Sequence, residues 1–481
     1  MVPAGCGSAR LPLTPNPHAP LPRRRLGEVM TLLSPINRGL RTAAYVLSVT
    51  TVACDAGAGK TVYAGGTLWT GTGEPPILDA VIIVSDGHIE EAGPRNLVRI
   101  PRNADVRRVD GRWIIPGLID SHAHVERWMM PLLLANGVTA VRDAGGHLDS
   151  VVALRDDALL GSILAPRLFI SGAAINGTPA GPEEVGVANA FEARRAIDRL
   201  VLADATQAMI SPKITLALLR PLMDEANSLL MPVAGHLGKI DAITAVDAGL
   251  NAIEHLSGIV EASVTNPTAY FRAHSNFYAG WKMAIQGWVS LDSARIDRTA
   301  RILADAGVVI VPTLHYYETF SRLRDRRYIA SLDLSTVPEE VRRQWNIPGL
   351  VREARLTERD FARFRRARPN QNLFVRRFRA AGGIVAAGSN APQTLIAPGS
   401  GLHAELEELV RAGLSTKEAL LAATGDASKL LAADSLGTIK PGAVADFIVL
   451  SADPLADIAN TKAIEFIVFK GRRYYPEDFG Q

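Results

Sequence analysis

A chain of 481 residues with 47% hydrophobic residues is long enough to bury a large core, either as two to three ordinary domains or as one large barrel with an accessory domain. Its 52 basic and 49 acidic residues nearly cancel, so the overall charge gives no basis for nucleic-acid binding. The only cysteines are Cys6 and Cys54, which excludes a disulfide framework and a cysteine-built metal site from the remainder of the chain.

Residues 1–54 read as an upstream extension followed by an export signal. Met1 to Leu26 is rich in Pro, Ala and Arg without an apolar period, and the signal begins more naturally at Met30. Arg38 and Arg41 precede an apolar run, Thr42 to Ala53, that is too short to span a bilayer and ends at Cys54. Thr51-Val-Ala-Cys54 is similar to a bacterial lipoprotein box, although Thr51 is atypical there. The expected location is therefore the cell envelope (periplasm), either lipid-anchored at Cys54 or as a plainly secreted protein. A buried helix is the alternative for this segment.

Residues 60–115 alternate apolar runs with Gly and Asp-Gly turns, as in Thr67–Thr70, Ala80–Val84 and His88–Gly93, a pattern that predicts antiparallel sheet. The style returns at 436–481, in Gly437–Gly442, Ala445–Leu450 and Ile464–Gly471. Asp446 reads as a structural residue, and Gly442 and Gly471 as turn glycines.

Between these flanks, apolar strand-like runs alternate with helical periodicity, which implies a parallel sheet with its active face at the carboxyl ends of the strands. Trp113 to Ile119 reads as one buried strand leading into His122 and His124, which project together as a chelating fork for zinc or a similar ion. His147 follows Ala140–Gly146, and Arg167–Ile170 precedes a small-residue loop over 171–181. Helices are predicted over Pro182–Ala203, Leu218–Leu230, Ile240–Ala248, Asp292–Ala306 and Ala404–Ala412. His236 and His255 each close a short apolar run after a helical segment, so four histidines converge as candidate metal ligands. His315 ends another such run, Ile310–Leu314. The arginine-rich stretch Arg352 to Arg379, with Phe361, Phe364, Phe374 and Phe378 at helical spacing, predicts helices with a solvated basic face. A site for an acidic substrate or a lipid surface is the other reading.

With these motifs in place, the sequence resembles the amidohydrolase superfamily, in the branch of imidazolonepropionase-like, prolidase-like and ochratoxin-hydrolysing enzymes. The resemblance runs from about Thr61 to the end and rests on Pro116–His124, Gly137–Asp143, Pro232–His236, Ile253–His255, Ala387–Asn390, Ala419–Thr424 and Leu436–Leu450. It implies an α/β fold, a TIM-like (β/α)8 barrel over 116–435, with 60–115 and 436–481 pairing into a discontinuous β-sandwich. It also implies a homo-oligomer acting on a small-molecule amide, with His122, His124, His236 and His255 holding one or two divalent metals.

The chain departs from the family at two positions. Met209 stands where a metal-bridging lysine is expected, with Gln207 and Lys213 as alternative alignments, and Asn390 stands where a proton-handling aspartate is expected. A thioether is a poor ligand for such ions and an amide accepts no proton near neutral pH. The expected function is then hydrolysis of a carbon–nitrogen bond, outside peptide bonds, at a mononuclear site with zinc as the expected divalent metal. His315 is the first and His147 the second candidate base. The alternative is an inactive member that binds a small ligand or an envelope partner.

Overall fold

The computed structural model describes residues 59–479, so the expectations for Met1, Cys6, Met30, the apolar run 42–53 and Cys54 lie outside the described residues. Among those described, no helix is long and apolar enough to cross a membrane.

The chain opens with five strands, β1 (Thr61–Leu68), β2 (Ile77–Ser85), β3 (His88–Pro94), β4 (Asp105–Arg108) and β5 (Trp113–Pro116). The barrel begins with β6 (Leu118–Ala123), β7 (Val138–Asp143) and β8 (Arg167–Phe169). Two short strands, β9 (Ile175–Gly177) and β10 (Val185–Val187), precede β11 (Ala208–Ile210), β12 (Val233–Gly235), β13 (Ala252–Glu254), β14 (Val309–Val311) and β15 (Ile384–Val385). The chain ends with β16 (Phe447–Leu450), β17 (Ile464–Phe469) and β18 (Arg472–Tyr474).

Strands β6, β7 and β8 pair in parallel, as do β11 to β15 in chain order. The two arcs join where Thr206 N donates to Ile170 O at 2.9 Å and where Ser121 N donates to Ala387 O at 2.8 Å, which closes the (β/α)8 barrel. Its interior is lined by small or branched residues, among them Ala140, Ala234, Ala252, Val311 and Ala386. Small side chains at this level leave room above them for a pocket.

The expected single strand Trp113–Ile119 is two strands. Pro116 ends β5, and Gly117 turns the chain where a Cβ would lie 2.2 Å from Thr139 Oγ1, so only glycine fits. Beyond that break β6 enters the barrel, while β5 stays in a second sheet ordered β18-β17-β16-β5-β1-β2-β3, with β4 beside β1. The antiparallel register Ile448↔Ile115 ties the two ends of the chain together, and Tyr63 meets Phe447 edge-on at 5.0 Å in their shared core. Asp446 links this sheet to the barrel by accepting from Arg167 Nε at 2.9 Å and Lys470 N at 2.7 Å.

Two expectations change. Residues 182–203 contain β10 before a helix confined to Ala190–Leu202, where Asn189 accepts from Glu192 N as N-cap. Residues 437–442 form no strand. The arginine-rich stretch is mainly one helix, Glu358–Ala380, opened by a Thr357/Asp360 capping box; its four phenylalanines are buried and most of its arginines face outward.

Candidate active site

Parallel strands deliver the histidines to one face. His122 lies on β6 and His124 just beyond it, while His236 and His255 come directly after β12 and β13. Their rings run neighbour to neighbour: His124 to His122 at 5.5 Å, His122 to His255 at 4.4 Å, and His255 to His236 at 5.1 Å between centroids. All four line a cavity of ≈ 800 Å³.

Hydrogen bonds assign the tautomers of three of these rings. His124 Nδ1 meets Gly145 O at 2.9 Å, and a carbonyl only accepts, so that nitrogen carries the proton. Thr313 Oγ1 donates to Pro312 O at 2.8 Å and therefore accepts from His255 Nδ1 at 2.7 Å. His122 Nδ1 is 2.6 Å from the Glu254 carboxylate. Each ring is thus clamped at Nδ1 with its Nε2 lone pair left over, which is how metal-ligating imidazoles are generally oriented.

Glu254 is itself held by Arg142, whose Nε donates to Ser121 O at 2.6 Å and whose Nη1 donates to Gln207 Oε1 at 2.9 Å. This ionic floor is fully buried. Burial, with the crowding of neighbouring imidazoles and Arg142, holds His122 well below the usual histidine range. Burial and the neighbouring imidazoles do the same for His255, and burial brings His236 to about 4. His122, His236 and His255 are therefore neutral and able to donate lone pairs.

His122 Nε2 and Asn390 Oδ1 are both buried with no hydrogen-bond partner, and Asn390 lies against His122. Two orphaned acceptors of this kind suit a cation. Among the described residues, however, no three His, Cys, Asp or Glu side chains are gathered closely enough to form a ready metal cage. Neutral imidazoles are donors of the kind that suits a borderline ion, whereas the thioether of Met209, buried in the barrel interior beside the cavity, is a poor ligand for one.

The other candidates separate clearly. Met209 pairs with Ala234 on β12 and lines the cavity, whereas Gln207 is committed to Arg142 and to Asp143 O. Lys213 reaches outward to Pro179 O at 2.6 Å. His147 lines the cavity.

His315, the first candidate base, is not brought to the histidines. It lies in the first turn of the helix Leu314–Ser321, whose phase turns Tyr316 and Phe320 to the cavity and His315, Glu318 and Arg322 to a different one. A strand-end position therefore misled: helix rotation by about 100° per residue decides which neighbour faces the site.

Sequence reasoning did not single out Glu254, Arg142, Thr313 or Asp120, all of which act on the histidines from behind. Asp120 accepts from Ser389 Oγ at 2.6 Å and His122 N at 3.2 Å, and burial raises its pKa to about 6. The available signal was adjacency, since Glu254 precedes His255 and Asp120 precedes His122 by two. His255, Thr313 and Asn390 all adopt left-handed backbone, with φ of 55°, 48° and 61°. Such strain in non-glycine residues concentrates at functional sites. Gly388 passes so close that a Cβ would lie 2.6 Å from His122 Cβ.

Comparison with known proteins identifies the family and the fold. The model of the Amidohydrolase family matches residues 113–473. An imidazolonepropionase of Rhizorhabdus wittichii is 33% identical over 107 residues, covering 20% of this chain and only 27% of that relative's length. Among solved structures, a putative prolidase from Bifidobacterium longum superposes with a TM-score of 0.66 at 23% identity, covering 86% of this chain and 94% of that one. The A. niger ochratoxinase gives 0.63 at 19% identity over 87% and 96%. With the family model spanning most of the chain and the histidines at the carboxyl ends of the barrel strands, the chain belongs to the Amidohydrolase family, hydrolases of amide-type bonds.

Proposed function

We propose that the protein hydrolyses a carbon–nitrogen bond in an acyl or cyclic amide, outside peptide bonds, at a mononuclear site held by His122, His124, His236 and His255. The observation that carries this reading is the clamping of three Nδ1 atoms, which leaves the buried Nε2 of His122 without a partner beside Asn390 Oδ1. The four imidazoles would hold a divalent ion, zinc by donor preference, which would supply Lewis acidity and lower the pKa of a water towards about 7.

The chain's own residues then divide the remaining work. Glu254, Gly145 O and Thr313 keep the imidazoles oriented. Asn390 Oδ1 can accept a hydrogen bond from the attacking water or the amide N–H but cannot take its proton. His147 is the histidine outside the four that lines the same cavity, and it is assigned to hold that proton.

Loss of the bridging and proton-handling side chains, as Met209 and Asn390, favours a second reading in which the cavity binds a ligand without turning it over. Elemental mass spectrometry on full chain purified without chelators, with a screen of amides and lactams, tests the two. About one zinc or similar ion per chain, lost together with turnover in His122→Ala/His124→Ala, is the expected result. Absence of metal after incubation with zinc, manganese or cobalt sinks the hydrolytic reading. Metal with ligand affinity but no turnover leaves the binding one.

A further inference from the structure

We infer that the cavity selects amides whose body is apolar and aromatic-sized and whose far end is neutral or cationic, and that Glu183 is a residue enforcing the charge limit. This rests on the proposed amide-binding role of the histidine site and adds the class of substrate to it.

One wall is built of rings. Phe277 lies 5.9 Å from His236 and Tyr316 lies 6.0 Å from His255, centroid to centroid, and Trp281 continues the surface from Tyr316 at 5.9 Å to Phe320 at 4.0 Å. The aromatic surface therefore begins at the histidines and runs away from them. A flat apolar group next to the scissile bond would bury itself there, and a cation would gain from the ring faces.

The polar side has a single sign. Glu126, Glu183 and Glu184 line the cavity, and no lysine or arginine does so among the described residues. Glu184 is occupied by Gly181 N at 2.6 Å and Asn176 Nδ2 at 2.8 Å, and Glu126 accepts from Trp128 Nε1 at 2.9 Å. Glu183 is exposed and has no hydrogen-bond or ion-pair partner among the described residues. A carboxylate on the substrate would meet like charge with nothing to pair with, whereas an ammonium would be attracted. The positive charge of Arg142 does not change this, since it is buried behind the histidines against Glu254.

The test is calorimetric titration of full-length, chelator-stripped protein at low salt with three ligands of matched size: N-(2-aminoethyl)-2-phenylacetamide, N-propyl-2-phenylacetamide and phenylacetylglycine. Removing metal first prevents the acid from binding simply as a ligand to an ion. The acid is expected to bind at least about tenfold more weakly than the neutral amide, and the amine at least as tightly. Glu183→Gln should narrow the gap between neutral and acid about threefold while leaving the neutral ligand unchanged. Phe277→Ser, at a side chain already 47% exposed, should weaken all three by about fivefold.

Equal binding of acid and neutral ligand, an unchanged gap in Glu183→Gln, or no binding of any of the three overturns the inference. Amine release from the same compounds by metal-loaded protein is measured in parallel. The binding order without release leaves the selection standing and removes the hydrolase reading. Release with the order reversed does the opposite.

Discussion

Histidine and carboxylate are gathered at the barrel mouth and also in a cavity of ≈ 720 Å³ beside the helices Leu314–Ser321 and Ser400–Arg411. In the second cavity three of the four lining carboxylates are answered by cations: Arg368 Nη2 donates to Glu408 at 2.9 Å, Arg322 pairs with Glu318, and Lys462 pairs with Glu407. At the mouth the only cation near the histidines among the described residues, Arg142, is sealed behind Glu254. The carboxylate there clamps a histidine, and acceptors are left over. Composition alone does not distinguish the two clusters. What marks a candidate site is that its lone pairs remain uncommitted after the neighbours are satisfied.

The sharpest way to break this comparison is to remove one carboxylate from each. Glu254→Gln leaves a buried guanidinium without its ion-pair partner and should lower stability by about 3–5 kcal/mol in denaturant unfolding, together with loss of turnover. Glu408→Gln leaves Arg368 with Glu318 at 3.3 Å and Gln371 at 3.1 Å, so about 1–2 kcal/mol is expected. Equal losses would mean that the Arg142 floor is no more than another ion pair.

A smaller effect is expected from Gly388→Ala, where the new methyl pushes on His122. It should cost about 1–3 kcal/mol and reduce turnover, whereas His315→Ala in the second cavity should leave turnover within about twofold. Measuring kcat/KM for both variants checks this, and a large loss in His315→Ala would return that residue to the mechanism.

The mildest test uses pH. Burial raises Glu405, which accepts from His315 N at 2.7 Å, from an ordinary 4.5 to about 8. The native state therefore holds a proton that the unfolded chain has released. Its stabilising contribution is complete below about 4.5 and lost as pH rises through about 8. Glu405→Gln removes that dependence, so thermal unfolding of variant and wild type should diverge between pH 5 and pH 8 in favour of the variant. Parallel curves would mean that Glu405 is ionised in the fold.

Much of the barrel is legible in the sequence, because short apolar runs before His122, His236 and His255 alternate with amphipathic helices. The break at Gly117 is less so, since it depends on Thr139 pressing against a residue distant in the chain. His315 shows the limit most clearly. Its place after β14 is correct, yet helix phase turned it away and set Tyr316 in its stead. Glu254 and Arg142 could not be joined from the sequence, because 112 residues separate them and their partnership exists only once the barrel closes.

The acidic lining also bears on the fate of the two products. Hydrolysing an amide turns one neutral molecule into an acid and an amine, and Glu126, Glu183 and Glu184 act on the two halves with opposite sign. Under the proposed hydrolysis, the acid would be repelled towards solvent once ionised, while the amine, as an ammonium, would be held among rings and carboxylates. The walls of the cavity would then favour departure of the acid first, and the amine would be the half that competes with the next substrate.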